Sequence, residues 1–442
     1  MTTTQDPRAS KVPPAVRADG RPLTPEEVRR TRRAMLGLGL GNTLEWYDWM
    51  IFGLLAALIG PQFFAAQDPV SATLDALAVF AIGFVVRPLG GVFLGHVADR
   101  VGRRRVMLLS VSLMAVTTLI IGVLPTYSTI GVWAGVILLG CRILQGLSTG
   151  IEAPLSTAYA VELQPAGHEG RAAGYISFFV NLGILLASLT SFITSYLVGG
   201  DAMAEWGWRV PILLGAAMSF FVVYLRRSLP ETLSEEEKAD QPSGTWSGIR
   251  KHWIGLAAII FVVGAAQAYN YAWNVGLPSL ARGSYGENPT TVFALTTVLG
   301  VILLVGSLAT GWVADRVKLS RAFVVTRLAA IPAVFLMLLY AGPGIPTFAA
   351  VLLFGGVFLV ANMTLYNVVS TSLMPKYCRA TGTGLGYGVA VALFGGTASY
   401  LLVWLQSRDL LWMFPVYTAA LSIISVVLYA IARRTSGTFC GE

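Results

Sequence analysis

The chain has 442 residues, 55% of them hydrophobic and only 12% charged, and its mean hydropathy of +0.67 excludes an ordinary soluble domain. A net charge of +8 and an isoelectric point near 9.5 raise the question of nucleic acid, but the basic residues are not arranged as a binding face. Cys141, Cys378 and Cys440 imply no disulfide framework, and three histidines without ligand spacing imply no metal site and no cofactor.

Residues 1–33 are polar, proline-containing and basic, too long and too charged for the start of a signal peptide, and are expected to form a tail. Twelve apolar runs follow, at 34–60, 74–98, 105–124, 130–155, 171–198, 207–226, 252–280, 290–314, 321–341, 347–374, 380–404 and 411–432. Each is long enough to cross a bilayer as a helix, so the expected fold is an all-α integral membrane protein of twelve transmembrane helices. The stretch from Arg226 to Lys251 is polar and carries Glu231, Glu235, Glu236, Glu237 and Asp240. It divides the chain into six-helix bundles at 34–226 and 252–432, joined by a linker at 227–251 and followed by a tail at 433–442. Most of the 31 Lys and Arg residues fall in alternate loops and in the tails, while the other loops keep Arg282 and Arg408, with Arg209 near a helix end. That asymmetry puts both termini in the cytoplasm, in a multi-pass protein of the cell membrane.

Two of the inner loops are copies of one element. Gly95-His96-Val97-Ala98-Asp99-Arg100-Val101-Gly102-Arg103-Arg104-Arg105 recurs half a chain later as Gly311-Trp312-Val313-Ala314-Asp315-Arg316-Val317-Lys318. Gly95 allows close helix approach, Asp99 suits a helix end, and the arginines hold the loop inside. Arg171-Ala172-Ala173-Gly174 and Arg379-Ala380-Thr381-Gly382 echo each other in the same way, each opening the fifth span of its half. A repeat of this depth predicts a two-fold transporter.

Charges within the spans are costly in lipid and mark function. Glu45 and Asp48, three residues apart on the first span, share a helix face, with Glu45 about 17 Å from the inner end. Their mutual repulsion favours a protonated form of one of them, which makes the pair a candidate proton carrier. Arg87 lies mid-depth in the second span, and Arg142 in the fourth, followed by Gln145 and then Glu152. A guanidinium holds a carboxylate in two-pronged fashion and does not lose its proton, so Arg87 and Arg142 are candidates for an anionic substrate. The bland alternative is that they only neutralise the carboxylates. The second half offers neutral groups instead: Gln267, Tyr269, Asn270, Tyr271, Trp273 and Asn274 in the seventh span, and Asn362, Tyr366 and Asn367 in the tenth. Proton coupling is therefore expected in the first half. No nucleophile–base set is visible, so an enzyme is not expected, and the charges form no ring that a channel would need.

Taken together, Gly41-Asn42, Glu45-Trp46-Tyr47-Asp48, Gly83, Arg87-Pro88-Leu89-Gly90-Gly91, Arg142, Gln145-Gly146, Trp206-Gly207-Trp208-Arg209-Val210-Pro211 and Phe394-Gly395-Gly396 resemble the metabolite:proton symporter branch of the major facilitator superfamily. The resemblance covers roughly residues 35–430. It implies alternating access around a central cavity, with proton entry driving uptake of a small organic anion such as α-ketoglutarate or citrate. It also implies proton transfer at Arg142 and anion binding at Arg87. A zwitterionic osmolyte (proline or betaine) or shikimate is the alternative cargo, with an exporter or a non-transporting sensor further behind. The candidate substrate ligands are thus Arg87, Arg142, Gln145, Tyr47, Asn270, Asn274, Asn362 and Tyr366. Glu45, Asp48, Glu152 and Arg142 are the candidates for proton coupling, and Gly95, Asp99, Arg100, Gly102, Arg103, Arg104, Asp315 and Arg316 for gating. The expected partners are a carboxylate, protons and the bilayer, with the chain acting as a monomer. The chain departs from that branch at Gly150-Ile151-Glu152, at Lys318-Leu319-Ser320 in the second inner loop, and at Tyr387-Gly388.

Overall fold

Lipid offers no hydrogen-bond partner, so apolar runs of this length satisfy their backbone groups internally, as helices. The computed structural model describes residues 25–65, 68–91, 93, 103–150, 169–226, 245–339, 341–375 and 378–436, and a helix stands at each of the twelve expected positions. In chain order the helices are α1 (Pro25–Leu54), α2 (Ala56–Phe63), α3 (Pro69–Val85), α4 (Arg103–Val123), α5 (Trp133–Thr149), α6 (Glu169–Val198) and α7 (Arg209–Arg226). There follow α8 (Trp253–Tyr271), α9 (Leu277–Gly283), α10 (Pro289–Ala314), α11 (Leu319–Leu339), α12 (Ile345–Ser372), α13 (Arg379–Ala390), α14 (Gly396–Ser407) and α15 (Met413–Ser436).

Several of these are parts of one longer rod. A π-helical turn, Ala272–Gly276, joins α8 to α9, and another, Val391–Gly395, joins α13 to α14. Among the described residues eight helices meet the length and apolarity of a membrane span, and a ninth is the bent pair Gly200–Gly207 and Arg209–Tyr224. Two further positions hold shorter apolar helices, Leu108–Val123 and Trp133–Thr149. The expected linker lies largely outside the described residues; its last part, Thr245–Lys251, is helical.

The N-terminal ends of α3 and α10 are closed by matching devices. The Asp68 side chain accepts from the backbone N–H of Val70 and Ser71, and Asn288 accepts from those of Thr290 and Thr291, with a proline at the first helical position in both.

Small residues set the closest approaches. A Cβ at Gly146 would lie 2.1 Å from the Gly83 carbonyl oxygen, and one at Gly90 would lie 2.1 Å from that of Leu147. α3 and α5 therefore touch backbone to backbone, as lipid-embedded helices do where side chains are absent. The space over Gly90 and Gly91 is filled by Leu147 of α5 and by Gly150 just beyond it.

The two halves of the chain meet along three seams. α6 runs antiparallel to α10 over their full length: Ser195 Oγ lies 2.7 Å from Thr290 Oγ1, Asn181 donates to the Leu303 carbonyl at 3.1 Å, and Gly174 abuts Ser307 and Gly311. On α3 and its continuation, Ala81 and Phe84 abut Gly396, and Pro88 abuts Gly388. α1 meets the α8 rod where Trp46 stacks on Tyr271, with centroids 6.2 Å apart, and where Gly53 receives Val275. Contacts therefore close both ends of the α6–α10 seam, and the polar groups between the halves are buried.

Candidate functional site

Pro88 shapes the ground on which the site stands. It lacks a backbone N–H and its ring crowds the carbonyl four residues earlier, so the regular helix ends at Val85 and resumes after Val86. Arg87 sits at that irregularity. Its guanidinium lies 4.0 Å from the Trp49 ring centroid and 4.5 Å from that of Phe84. Its Nη1 is 3.8 Å from Glu45 Oε1. Both residues are almost fully buried, 5% and 2% exposed.

A second pair lies deeper in the N-terminal half. Arg142 Nη1 is 4.0 Å from Asp48 Oδ2, and its guanidinium stacks 3.7 Å from the Phe52 centroid. The Thr118 hydroxyl donates to Asp48 Oδ1, and Gln145 Nε2 in turn donates to Thr118 Oγ1 at 2.8 Å. Trp49 separates the two pairs, within cation–π range of both arginines. The Nε atoms of Arg87 and Arg142, and Nη1 of Arg142, make no hydrogen bond among the described residues. Buried guanidinium donors left unused are costly, and an acceptor brought by a ligand relieves that cost.

The C-terminal half faces Arg87 with neutral groups. Gln267 Nε2 donates to Tyr366 Oη at 3.1 Å and reaches Tyr387 Oη at 3.5 Å. Asn270 donates to Gln267 Oε1, and Asn274 to Asn270 Oδ1 at 2.9 Å. The Tyr271 and Tyr387 side chains lie close enough to Arg87 and Glu45 to feel both charges. Tyr271 is further braced by Trp46, Phe80 and Phe84, while Ser399 donates to its carbonyl where the π turn begins.

The structure thus brings Glu45, Asp48, Arg87, Arg142 and Gln145 together, with Asn270, Asn274 and Tyr366 linked in one network opposite. Two expected ligands are elsewhere. The Tyr47 hydroxyl donates to the Pro211 carbonyl at 2.7 Å and meets Thr190, because two residues beyond Glu45 the helix face turns toward α6 and α7. Asn362 spends its amide on the Thr326 and Phe358 carbonyls and so ties α12 to α11. Glu152, Gly95, Asp99, Arg100 and Gly102 lie outside the described residues, and Arg103 and Arg104 are described only as the opening of α4. Asp315 is the C-cap of α10, and the Arg316 guanidinium lies over the Trp312 ring.

Sequence reasoning missed Trp49, Thr118, Phe52 and Arg327. Arg327 on α11 is 2% exposed, donates to the Val262 carbonyl at 2.8 Å and has no carboxylate within 4.0 Å among the described residues. The signal for it was present, since an arginine six residues inside an apolar run is as unusual as Arg87.

The profile described as Major Facilitator Superfamily matches residues 38–399. The chain belongs to the major facilitator superfamily. This superfamily protein is 32% identical over 428 residues to the alpha-ketoglutarate permease of Escherichia coli K12, covering 95% of this chain and 97% of that one. It is 31% identical over 418 residues to the ectoine/proline transporter ProP of Corynebacterium glutamicum, with 88% and 81% covered. The proline/betaine transporter of Salmonella typhimurium is 28% identical over 426 residues, with 90% and 82% covered. Among solved structures, the proton:xylose symporter XylE bound to 6-bromo-6-deoxy-D-glucose superposes with a TM-score of 0.72 at 15% identity, over 91% of this chain and 95% of that one. The superfamily fold and a transporter rather than an enzyme follow from these matches.

Proposed function

We propose that this protein is a proton-coupled symporter that takes up a small di- or tricarboxylate by alternating access, with both termini in the cytoplasm. The observation that carries the reading is Arg87. It is a buried guanidinium at the junction of the halves, 3.8 Å from Glu45, with an Nε donor unused among the described residues and aromatic faces beneath it. A substrate carboxylate at this place would compete with Glu45 for one cation. Protonation of Glu45 cancels its charge, loosens its hold and frees Arg87 for the substrate, so proton and anion enter together. Gln267, Tyr366 and Tyr387 would then orient the rest of the ligand from the other half. The seams of α6–α10 and α3–α14 are the surfaces along which the halves would rock.

A likeness to an α-ketoglutarate permease along nearly the whole chain supports a dicarboxylate. A zwitterion such as proline or betaine is the second reading, favoured by the aromatic group Trp46, Trp49, Phe84 and Tyr271 and by the proline and betaine transporters among the relatives. Counterflow in proteoliposomes with labelled α-ketoglutarate, citrate, shikimate, proline and glycine betaine tests the choice. Exchange of α-ketoglutarate, citrate or both, without proline or betaine, is the expected result. Exchange of betaine alone would replace the anion reading, and exchange of none would reject carriage of these solutes.

A further inference from the structure

The neutral groups of the second half form a relay whose direction is fixed at one end. Asn274 Nδ2 lies 3.2 Å from the backbone carbonyl oxygen of Asn270 and 2.9 Å from Asn270 Oδ1. A backbone carbonyl only accepts, so Asn274 must present its nitrogen here, and Asn270 must turn its side-chain oxygen toward it. The Asn270 nitrogen is then left to donate to Gln267 Oε1 at 3.3 Å, and the Gln267 nitrogen faces the tyrosines. Its two protons serve two oxygens, Tyr366 Oη at 3.1 Å and Tyr387 Oη at 3.5 Å. Turning over either Asn270 or Gln267 alone would set like groups against each other.

Both tyrosine oxygens thus accept from Gln267, and their own protons point away from it. Tyr366 Oη takes the shorter bond and also meets the Asn367 amide, so its proton passes to the Tyr387 hydroxyl beside it. The Tyr387 O–H is left over at the end of the relay. It is also the member that a ligand can reach. Gln267, Asn270, Asn274 and Tyr366 are buried, whereas Tyr387 is partly exposed and lies near enough to Arg87 and Glu45 to feel both charges.

We infer that the relay makes Tyr387 a hydrogen-bond donor to the carried solute, and so selects a solute whose far end accepts, as a second carboxylate or a keto oxygen does, over one whose far end is a cation. The inference rests on the reading of Arg87 as the anchor of a first carboxylate. A tyrosine alone can donate or accept; the amides behind this one remove the second choice. An acceptor on the ligand satisfies a donor that the second half does not use itself. A secondary ammonium brings only donors and a quaternary ammonium brings neither donor nor acceptor, so each leaves the Tyr387 O–H unmatched.

The test compares α-ketoglutarate with 2-oxovalerate, the same carbon chain with one carboxylate replaced by methyl, through thermal stabilisation of the purified full chain titrated with each. The wild type should bind α-ketoglutarate the more tightly. Tyr387→Phe keeps the ring and removes the O–H, and should narrow that ratio about tenfold or more, the scale of a hydrogen bond to a charged group. Asn274→Leu, at the far end of the relay, frees the amides to turn and should narrow the same ratio in the same direction, so a poorly folded Tyr387→Phe does not leave the matter open. Residues that only held the helices together would weaken both acids alike. An unchanged ratio in both variants therefore overturns the inference while the anion reading stands. A wild type that prefers neither acid overturns it as well, and stabilisation by glycine betaine instead overturns the anion reading with it.

Discussion

Arg87 and Glu45 meet at 3.8 Å from the continuation of α3 and from α1, and Asp48, one helical turn beyond Glu45, accepts from Thr118 and lies 4.0 Å from Arg142. The two pairs share Trp49 as a common wall yet differ in what surrounds them. Arg87–Glu45 borders Tyr271 and Tyr387 of the other half, so any motion between the halves alters its surroundings. Asp48–Arg142 lies within the N-terminal half, fastened by the chain from Gln145 to Thr118 to Asp48. The first pair suits exchange with a ligand; the second suits holding α1, α4 and α5 in register.

Arg87→Lys keeps the charge and loses the planar fork, so apparent substrate affinity should fall about ten- to a hundredfold, the scale of a charge-assisted hydrogen bond. Arg87→Ala should abolish binding in a protein that still folds. Substrate-induced thermal stabilisation measures both. Wild-type stabilisation in Arg87→Ala would move the anchor to Arg142.

Glu45→Gln should separate coupling from carriage. Uptake driven by an inward proton gradient should disappear, while counterflow at equal pH persists, since the substrate still finds Arg87 and no longer needs a proton to displace a carboxylate. Retained gradient-driven uptake would exclude Glu45 as the proton carrier.

Asp48→Asn should act on stability instead. It leaves Arg142 buried without its carboxylate, a change that costs ~3–5 kcal/mol when one partner of a buried pair is removed. The melting temperature of Asp48→Asn should therefore fall well below that of the wild type. An unchanged melting temperature would show that the pair and its Thr118–Gln145 chain do not hold α1, α4 and α5 in register.

Uptake by the wild-type protein in vesicles should rise with an inward proton gradient and collapse with a protonophore. Uptake that ignores the protonophore and follows sodium would reject proton coupling.

Gly174→Leu should wedge the α6–α10 seam, because even a Cβ there would lie 3.0 Å from the Ser307 carbonyl oxygen and 3.2 Å from Gly311 Cα. Spin-label distances between the ends of α6 and α10 near Gly174 should lengthen, with transport slowed and membrane insertion intact. An unchanged distance distribution together with normal flux would remove this contact from the gating motion.

Much of the fold was legible because membrane physics is local. The twelve helical positions follow from hydropathy, and the buried acids and arginines announce themselves by their cost in lipid. Which face each side chain takes was legible only in part. Glu45 and Asp48 do share a face, but Tyr47 lies between them in sequence and points to α7, and Asn362 is consumed by neighbouring carbonyls. Arg327 was overlooked since a cation a short way into a span looks like one more positively charged helix end.

What the amino-acid order determined alone is the class of molecule: an all-helical membrane protein with an internal repeat and a set of buried charges concentrated in its first half. Tertiary structure decided the pairing. Arg87 could have met either carboxylate, and Trp49 is an ordinary aromatic until Gly83 and Gly146 bring α3 and α5 into backbone contact and set both arginines against its ring. Periodicity specifies the direction of a side chain from its own helix; only packing, fixed by where side chains are missing, specifies what that side chain meets.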